Sequence, residues 1–299
     1  MKRAIAWFGL AAAVIATAGC AIVQVAARAG AATGVISEQQ ATAIVKSSEA
    51  FAKAKEKLTP ENEYYIGRTV AAQILGRYRA YDAGRANEYL NLLGQSLAVF
   101  SDKPETYKGY RFLVLDTDEV NAFAAPGGFI LVTRGLIRCC KTEDALAAVV
   151  AHEIGHVKLE HGLKAISASR WTSFMKTVGV EATKALGSAE LGEAVTAFEG
   201  SIDDITQEMV NKGYSRSLEY DADKAAVTIL TRAGYSAAGL TDMLKEMDRS
   251  WKEGGAGFLR THPSPKDRIG RLKAPAAGSA PGAAERARQS RFEKSVAGV

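Results

Sequence analysis

The stretch Ala145–His156, with the sequence ALAAVVAHEIGH, decides how this chain folds. Its first seven residues are apolar on every side, as in a helix that passes through a hydrophobic core. Thr142 precedes the stretch and is a suitable N-cap. On such a helix His152 and His156 lie one turn apart on the same face. The stretch therefore predicts a buried helix that carries two imidazoles into the interior.

The same helix carries the pattern H-E-x-x-H at residues 152–156. Two imidazoles at this spacing can bind one zinc ion, and Glu153 can reach a water on the same metal. Such a group can hydrolyse a peptide bond with the help of the metal. Three of the four histidines in the chain fall within residues 152–161, which favours a metal site over a pair of solvated histidines.

A catalytic zinc site needs a third protein ligand and an open position for water. His161 would lie about 140° from the ligand face of a continuous helix, and Glu160 would lie about 12 Å from His152. We therefore expect the third ligand on another segment, and Glu219 is the best candidate. Asp223 lies one helical turn after Glu219 and could accept a hydrogen bond from a ligand histidine.

Several blocks of sequence, in a fixed order, resemble the HtpX-like and CAAX prenyl endopeptidase family of zinc metallopeptidases. They are residues 65–75, 121–136, the H-E-x-x-H motif, 219–223 and 261–269. The resemblance covers about residues 60–272. HtpX itself has transmembrane helices around its site, and this chain has no such span after residue 40. It is more similar to the soluble, lipoprotein-type members.

The resemblance implies roles for individual residues. His152, His156 and Glu219 would be the ligands of one Zn²⁺ per chain, Glu153 the general base and Asp223 the supporting acid. The implied fold is α+β, a mainly helical zincin-type (gluzincin) peptidase domain with a small β-sheet beside the H-E-x-x-H helix.

Two further residues are candidates for the chemistry. His262 lies in a Thr-His-Pro turn outside any predicted helix. It would either fill the open zinc position at rest or stabilise the developing oxyanion. Arg268, at the start of a predicted last helix, could stabilise negative charge near the metal or pair with a carboxylate of the site.

The β-rich run Phe129–Thr133 predicts a strand after the turn signal Pro-Gly-Gly. Beside the zinc helix, an unpaired edge of this strand could take up a peptide by main-chain hydrogen bonding. We therefore predict that Asn121, Phe129 and Ile130 contact substrate, with a plain core strand as the alternative. The segment 171–212, which lies between the two ligand helices in sequence, could form a lid.

Cys139 and Cys140 are adjacent in sequence. In an oxidising compartment they could be two reduced thiols or a vicinal disulfide. Metal ligation by them is disfavoured, because the histidines and Glu219 already fill the protein positions of a catalytic zinc site.

Two basic residues followed by the apolar run Ala4–Ala18 predict a signal peptide over residues 1–19. Residues 17–20 resemble a bacterial lipobox, which would make Cys20 the site of lipid attachment. Ordinary cleavage at a small-x-small site remains open, and so does an uncleaved membrane anchor that continues to Ala27. All three alternatives place the rest of the chain on the periplasmic side.

The remaining chain divides by composition. Residues 20–58 are interpreted as a lipid anchor and tether, residues 59–272 as the metallopeptidase domain, and residues 273–299 as a disordered tail rich in Ala, Pro and Gly. Ala21 directly after Cys20 resembles lipoproteins sent to the outer membrane.

The formal net charge of +5 comes largely from the leader and the tail, and the remaining body is close to neutral. This balance argues against a nucleic-acid surface. The resemblance implies polypeptide substrates, among them misfolded or unassembled proteins of the cell envelope. The alternative function is a zinc-bearing periplasmic chaperone or assembly factor whose peptidase activity is latent.

Overall fold

The computed structural model describes residues 37–39, 42, 58–82, 84–166, 188–252, 262–272 and 282–299. Thr59–Ala165 and Ile202–Val299 form one compact unit, and Met1–Leu58 with Ile166–Ser201 form a second unit. The predicted signal peptide and Cys20 lie outside the described residues, as do most of the predicted tether and the first part of the predicted lid. The domain boundaries predicted there stay predictions.

Ten α-helices and three short strands make up the described part of the chain. The helices are α1 Pro60–Leu75, α2 Gly84–Ala98, α3 Arg134–Cys139, α4 Glu143–Lys158, α5 His161–Lys164, α6 Ser188–Gln207, α7 Arg216–Arg232, α8 Ala238–Lys252, α9 Pro265–Arg271 and α10 Ala283–Val296. The strands are β1 Arg111–Leu115, β2 Ala122–Ala125 and β3 Phe129–Thr133. A 3₁₀ turn, Pro126–Gly128, joins β2 to β3, and a π-helical turn, Glu208–Lys212, follows α6. The predicted α+β class, mainly helical with a small sheet, is confirmed.

Helix α4 is the central element of the core. Thr142 caps it, because its side chain accepts a hydrogen bond from the Ala145 N–H at 3.1 Å. Every residue from Glu143 to Val157 is buried. The helix packs against α7, α8, α2 and β2, so its apolar residues meet neighbours on all sides. The prediction of a core helix that begins after Thr142 is confirmed.

The three strands form a sheet in the order β1-β3-β2. Strand β3 pairs in parallel with β1 and antiparallel with β2. The prediction that residues 129–133 present an open edge is therefore wrong, because this strand is the central one. Its first four residues, Phe129 to Val132, are apolar, which suits a position with partners on both sides. Among the described residues β2 pairs with β3 alone, so the other main-chain edge of β2 is open in the sense that no strand pairs with it, although all four residues of β2 are buried.

The C-terminal helix α10 corrects a second prediction. The sequence predicts disorder over residues 273–299, and for residues 282–299 that prediction is wrong. Phe292 of α10 is buried, and its ring lies 6.4 Å from that of Tyr89 on α2. The helix is thus anchored in the core by one aromatic side chain.

Two arginines of α10 attach it to the beginning of α4. The Arg288 Nε donates to Asp144 Oδ1 at 3.0 Å, and Arg291 donates two hydrogen bonds to the buried carboxylate of Glu143. Both acids lie in the first turn of α4, where negative charge is favourable for the helix dipole. Helix α10 therefore contributes to holding the central helix in place.

Within the described ranges, no helix combines the length and the apolar character that crossing a membrane requires.

Candidate active site

Four potential metal ligands meet inside the molecule: His152, His156, Glu219 and His262. The first two come from α4, Glu219 from the first turn of α7, and His262 from the segment just before α9. One ligand atom from each lies within 4.8 Å of the others, and all four side chains are buried. The structure thus brings together the three predicted ligands and the predicted fourth histidine.

The spacing of these atoms suits one zinc ion. The Nε2 atoms of His152 and His156 are 3.0 Å apart, and they lie 3.5 Å and 3.4 Å from the carboxylate oxygens of Glu219. Tetrahedral zinc with bonds of about 2.0–2.1 Å holds its ligand atoms about 3.3 Å apart. The Oε1 atom of Glu219 is buried and forms no hydrogen bond within the described part of the chain. A metal ion would satisfy it.

Gly155, inside the motif, allows α4 and α7 to approach each other at the site. A Cβ atom at this position would lie 3.0 Å from the carbonyl oxygen of Ala222 and 3.2 Å from the Cβ of Ala225. In the H-E-x-x-H pattern, Gly155 occupies a position that any residue can take. The small residues Ala222 and Ala225 on α7 are the sequence feature that could have indicated close packing of this helix against another.

Asp223 orients the first histidine. Its Oδ1 lies 3.0 Å from Nδ1 of His152, so a proton on Nδ1 leaves Nε2 free to bind metal. Arg268 is fully buried and donates to both oxygens of Asp223, at 2.6 Å and 3.0 Å. Burial alone would raise the pKa of Asp223, but Arg268 and His152 outweigh burial and lower this pKa to about 2. Asp223 is therefore an ionised acceptor.

Glu219 is held ionised in the same way. Burial opposes its charge, yet His262 and His152 bring the pKa of Glu219 well below its usual value. The His262 Nδ1 lies 2.8 Å from Glu219 Oε2. His262 thus contacts the predicted ligand carboxylate directly.

Glu153 is buried beside the ligand cluster. Burial raises the pKa of its carboxyl, although the neighbouring side chains of His152 and His262 work in the opposite direction. A raised pKa suits a group that takes up a proton near neutral pH. This carboxylate can therefore serve as the base of a hydrolytic reaction.

The second histidine has two neighbours that sequence reasoning missed. The Nδ1 atoms of His156 and His161 are 2.9 Å apart, and the ring of Tyr214 stacks on His156 at 4.5 Å with an angle of 22°. Helix α4 ends at Lys158, so the prediction that places His161 on the far side of a continuous helix is wrong. Nothing in the sequence marks Tyr214 as a residue of the site, apart from its place just before a predicted helix.

Two of the three predicted substrate residues lie in the sheet, and the third lies just before it. Phe129 and Ile130 belong to the central strand β3, which leaves no open main-chain edge there. Asn121 is buried just before β2, where its side-chain oxygen accepts from the Ala122 N–H at 2.9 Å. Contact of these three residues with substrate stays a prediction.

The two adjacent cysteines lie outside the metal-binding group. Neither cysteine takes part in a disulfide, so the vicinal-disulfide alternative is wrong. Cys140 is buried on α3's C-terminal side, and its thiol donates to the carbonyl of Leu136 at 3.4 Å.

With this geometry, the sequence can be placed in a family. Residues 85–276 match peptidase family M48, a match that covers more than half of the chain and contains all four potential ligands. The chain belongs to this family of metallopeptidases, whose members depend on zinc.

Three individual relatives share 26–30% sequence identity with this chain. The chain is 26% identical to the beta-barrel assembly-enhancing protease of Escherichia coli over 209 residues, which are 69% of this chain and 42% of that protein. It is 26% identical to the metalloprotease LoiP of Escherichia coli, over 64% of this chain and 69% of LoiP. It is 30% identical to the mitochondrial metalloendopeptidase OMA1 of Schizosaccharomyces pombe, over 51% of this chain and 42% of OMA1. The chain thus spans about two fifths of the length of the first of these relatives.

Proposed function

We propose that this protein is a zinc-dependent endopeptidase with His152, His156 and Glu219 as its metal ligands. One observation carries the proposal. In a chain of peptidase family M48, these side chains converge within 4.8 Å, with the buried carboxylate of Glu153 on the same helix. Bound zinc would polarise the scissile carbonyl and lower the pKa of a water molecule.

The protein's own groups would handle the protons and the charge. Glu153 takes a proton from the attacking water and passes it to the leaving amine. Asp223 keeps His152 in the tautomer that leaves Nε2 free, and Arg268 holds Asp223 ionised. His262 contacts Glu219 and has two candidate roles: donation to the developing oxyanion, or closure of the open ligand position at rest.

We assign substrate binding to the open edge of β2 rather than to β3. The Thr133 N–H donates to the Asn121 carbonyl at 3.0 Å, which fixes the alternation along this antiparallel pair. By that alternation the main-chain groups of Ala122 and Ala124 point away from β3. The Ala122 N–H is taken by the Asn121 side chain, and Ala124 has an N–H and a carbonyl for an added peptide strand.

The substrates we propose are proteins of the bacterial cell envelope, chiefly misfolded or unassembled ones. Support comes from the name of the Escherichia coli relative, a protease that enhances β-barrel assembly. Main-chain recognition at β2 also suits unfolded chains of varied sequence. We further propose that Cys20 is lipidated and attaches the protein to the outer membrane, with the peptidase domain on the periplasmic side.

The test compares wild type with Glu153→Gln on an unfolded protein, with zinc content measured for both. Glutamine keeps the size of the side chain but cannot take up the proton, so we expect one zinc per chain and no cleavage products. Wild-type cleavage should stop on addition of a chelator and return with zinc. Cleavage by Glu153→Gln at the wild-type rate would contradict the assignment. A wild-type protein that prevents aggregation but never cleaves would favour the chaperone alternative.

A further inference from the structure

We infer that His161 is a positioning residue for His156, and that it accepts a hydrogen bond from Nδ1 of this metal ligand. The inference rests on the metal centre of the proposed function. It gives His161 the task at His156 that Asp223 has at His152.

The two nitrogens of His156 face different surroundings. Its Nε2 lies 3.0 Å from Nε2 of His152 and 3.4 Å from Glu219 Oε1, among the other ligand atoms. Its Nδ1 lies 2.9 Å from Nδ1 of His161, which is itself buried. A histidine that binds metal through Nε2 carries its proton on Nδ1. The His156 Nδ1–H then donates, the His161 Nδ1 accepts, and the proton of His161 must be on its Nε2.

This arrangement gives the two ligand histidines acceptors of different charge. His152 meets the carboxylate of Asp223 at 3.0 Å, whereas His156 meets a second imidazole. An imidazole that donates a hydrogen bond to a carboxylate becomes more basic than one that donates to a neutral ring nitrogen. The site would therefore hold a metal between two unequal histidines, and the orientation of His156 would depend on a residue outside the ligand set.

The backbone after α4 takes an unusual path that brings His161 to this position. Glu160 has φ 56° and ψ 36°, in the left-handed region that a residue with a Cβ rarely adopts. This single residue ends the helical path and turns the chain, so that His161 starts α5 facing back towards His156. Strained backbone of this kind is common where a side chain must be aimed at a site.

Two more contacts hold the same group in place. A Cβ at Gly162 would lie 3.2 Å from Cδ of Pro126 and 3.5 Å from the hydroxyl oxygen of Tyr214. Glycine here therefore lets α5 lie close to the turn after β2. The Tyr214 ring covers the face of His156 and touches His161, with ring centres 5.7 Å apart. His156 is thus fixed by a hydrogen bond at its edge and by a ring on its face.

The test is the zinc affinity of two variants, measured by competition with a chromophoric chelator. His161→Leu removes the acceptor and fills a similar volume with an apolar side chain. His161→Asn places an oxygen, bonded to Cγ as Nδ1 is, where it can accept the same hydrogen bond. We expect His161→Leu to lower zinc affinity by about 10–100-fold and His161→Asn to stay within about threefold of wild type. Equal affinities of wild type and His161→Leu, or equal losses in both variants, would overturn the inference.

A second measurement needs no change at position 161. In zinc-loaded full-length Glu153→Gln protein, ¹⁵N NMR of the histidine rings reports which nitrogen carries each proton. We expect His161 as the Nε2–H tautomer and His156 as the Nδ1–H tautomer. An Nδ1–H tautomer at His161 would overturn the inference even if the Leu variant does not fold. Failure of wild-type protein to bind zinc at all would instead contradict the proposed function.

Discussion

Glu219 is the one carboxylate among the four potential ligands, so its replacement tests the ligand set most selectively. We predict that Glu219→Ala loses both bound zinc and hydrolysis, because two histidines alone hold zinc weakly in a site built for three ligands. The measurement is zinc per chain after gel filtration, together with cleavage of an unfolded protein.

Glu160→Gly is the matched control for Glu219→Ala. It also removes a carboxylate close to the end of α4, and glycine suits the φ of 56° at this position. We expect this variant to keep its zinc. Full zinc content in Glu219→Ala would move the third ligand to another residue.

Glu153 also predicts how activity depends on pH. Burial raises the pKa of its carboxyl above the usual value of 4.5. A general base must be ionised, so activity is present above this raised pKa and is lost as the pH falls through it. We predict an acid limb of kcat/KM that lies above pH 4.5, with zinc content measured at each pH to exclude loss of metal. A profile that stays flat down to about pH 4.5 would contradict the burial of an active base.

At the scale of single residues, sequence spacing predicts the positions of side chains on regular helices well and the positions of side chains at helix ends poorly. His152 and His156 follow from helix periodicity and the motif, Glu219 follows from its spacing to Asp223 and the family resemblance, and the structure brings the three together. His161 does not follow, because the prediction assumed that the helix continues. The left-handed conformation at Glu160 has no signal in the sequence, since glycine or asparagine usually marks such a position.

Among the elements, α4 was predictable and the order of the strands was not. The apolar run, the cap at Thr142 and the histidine spacing all indicate the same buried helix, and each is local in sequence. Strand order depends on which segments meet after folding. The run Phe129–Thr133 indicates a buried strand, but nothing within it shows that β1 and β2 occupy both of its edges.

The open edge of β2 leads to a prediction about substrate binding. Ala124→Pro removes the main-chain N–H that points away from β3, and proline is tolerated on an edge strand. Loss of one main-chain hydrogen bond to the substrate costs about 1 kcal/mol, so we expect KM for an unfolded protein to rise about five- to tenfold with zinc affinity unchanged.

Ala124→Gly is the control for Ala124→Pro, because it removes the methyl group and keeps the N–H. We expect its KM to stay near that of wild type. An unchanged KM in Ala124→Pro would place substrate elsewhere, whereas equal increases in both variants would show that the side chain of Ala124 matters rather than its N–H.

At the scale of the whole molecule, α10 supports the helix that carries the metal ligands. The buried carboxylate of Glu143 accepts hydrogen bonds from Arg291 and from the hydroxyls of Tyr89 and Tyr235. We predict that Arg291→Met lowers the free energy of unfolding by about 1–2 kcal/mol, a value reduced by the partial exposure of the arginine. Chemical denaturation gives the measurement.

Lys294→Met removes the same charge from α10 at an exposed position and is the matched control. We expect a change within about 0.5 kcal/mol for this variant. Equal effects of the two substitutions would mean that net charge, rather than the contact with Glu143, determines the contribution of the arginine.

The composition of the C-terminal segment explains why α10 was missed. The residues before it are rich in Ala, Pro and Gly, and Phe292 is its one buried side chain. Its attachment depends on Arg288 and Arg291 meeting acids about 150 residues earlier, a pairing that local patterns do not reveal. Tertiary contacts decide the state of this segment, and composition alone does not.

The most direct test of the metal centre is a crystal structure of the full-length protein with zinc, with the ion located from anomalous scattering at the zinc absorption edge. The account predicts one ion at about 2.0–2.2 Å from Nε2 of His152, Nε2 of His156 and a carboxylate oxygen of Glu219. Zinc bound at full occupancy away from His152 and His156, or no zinc in a protein that still cleaves its substrate, would contradict the account.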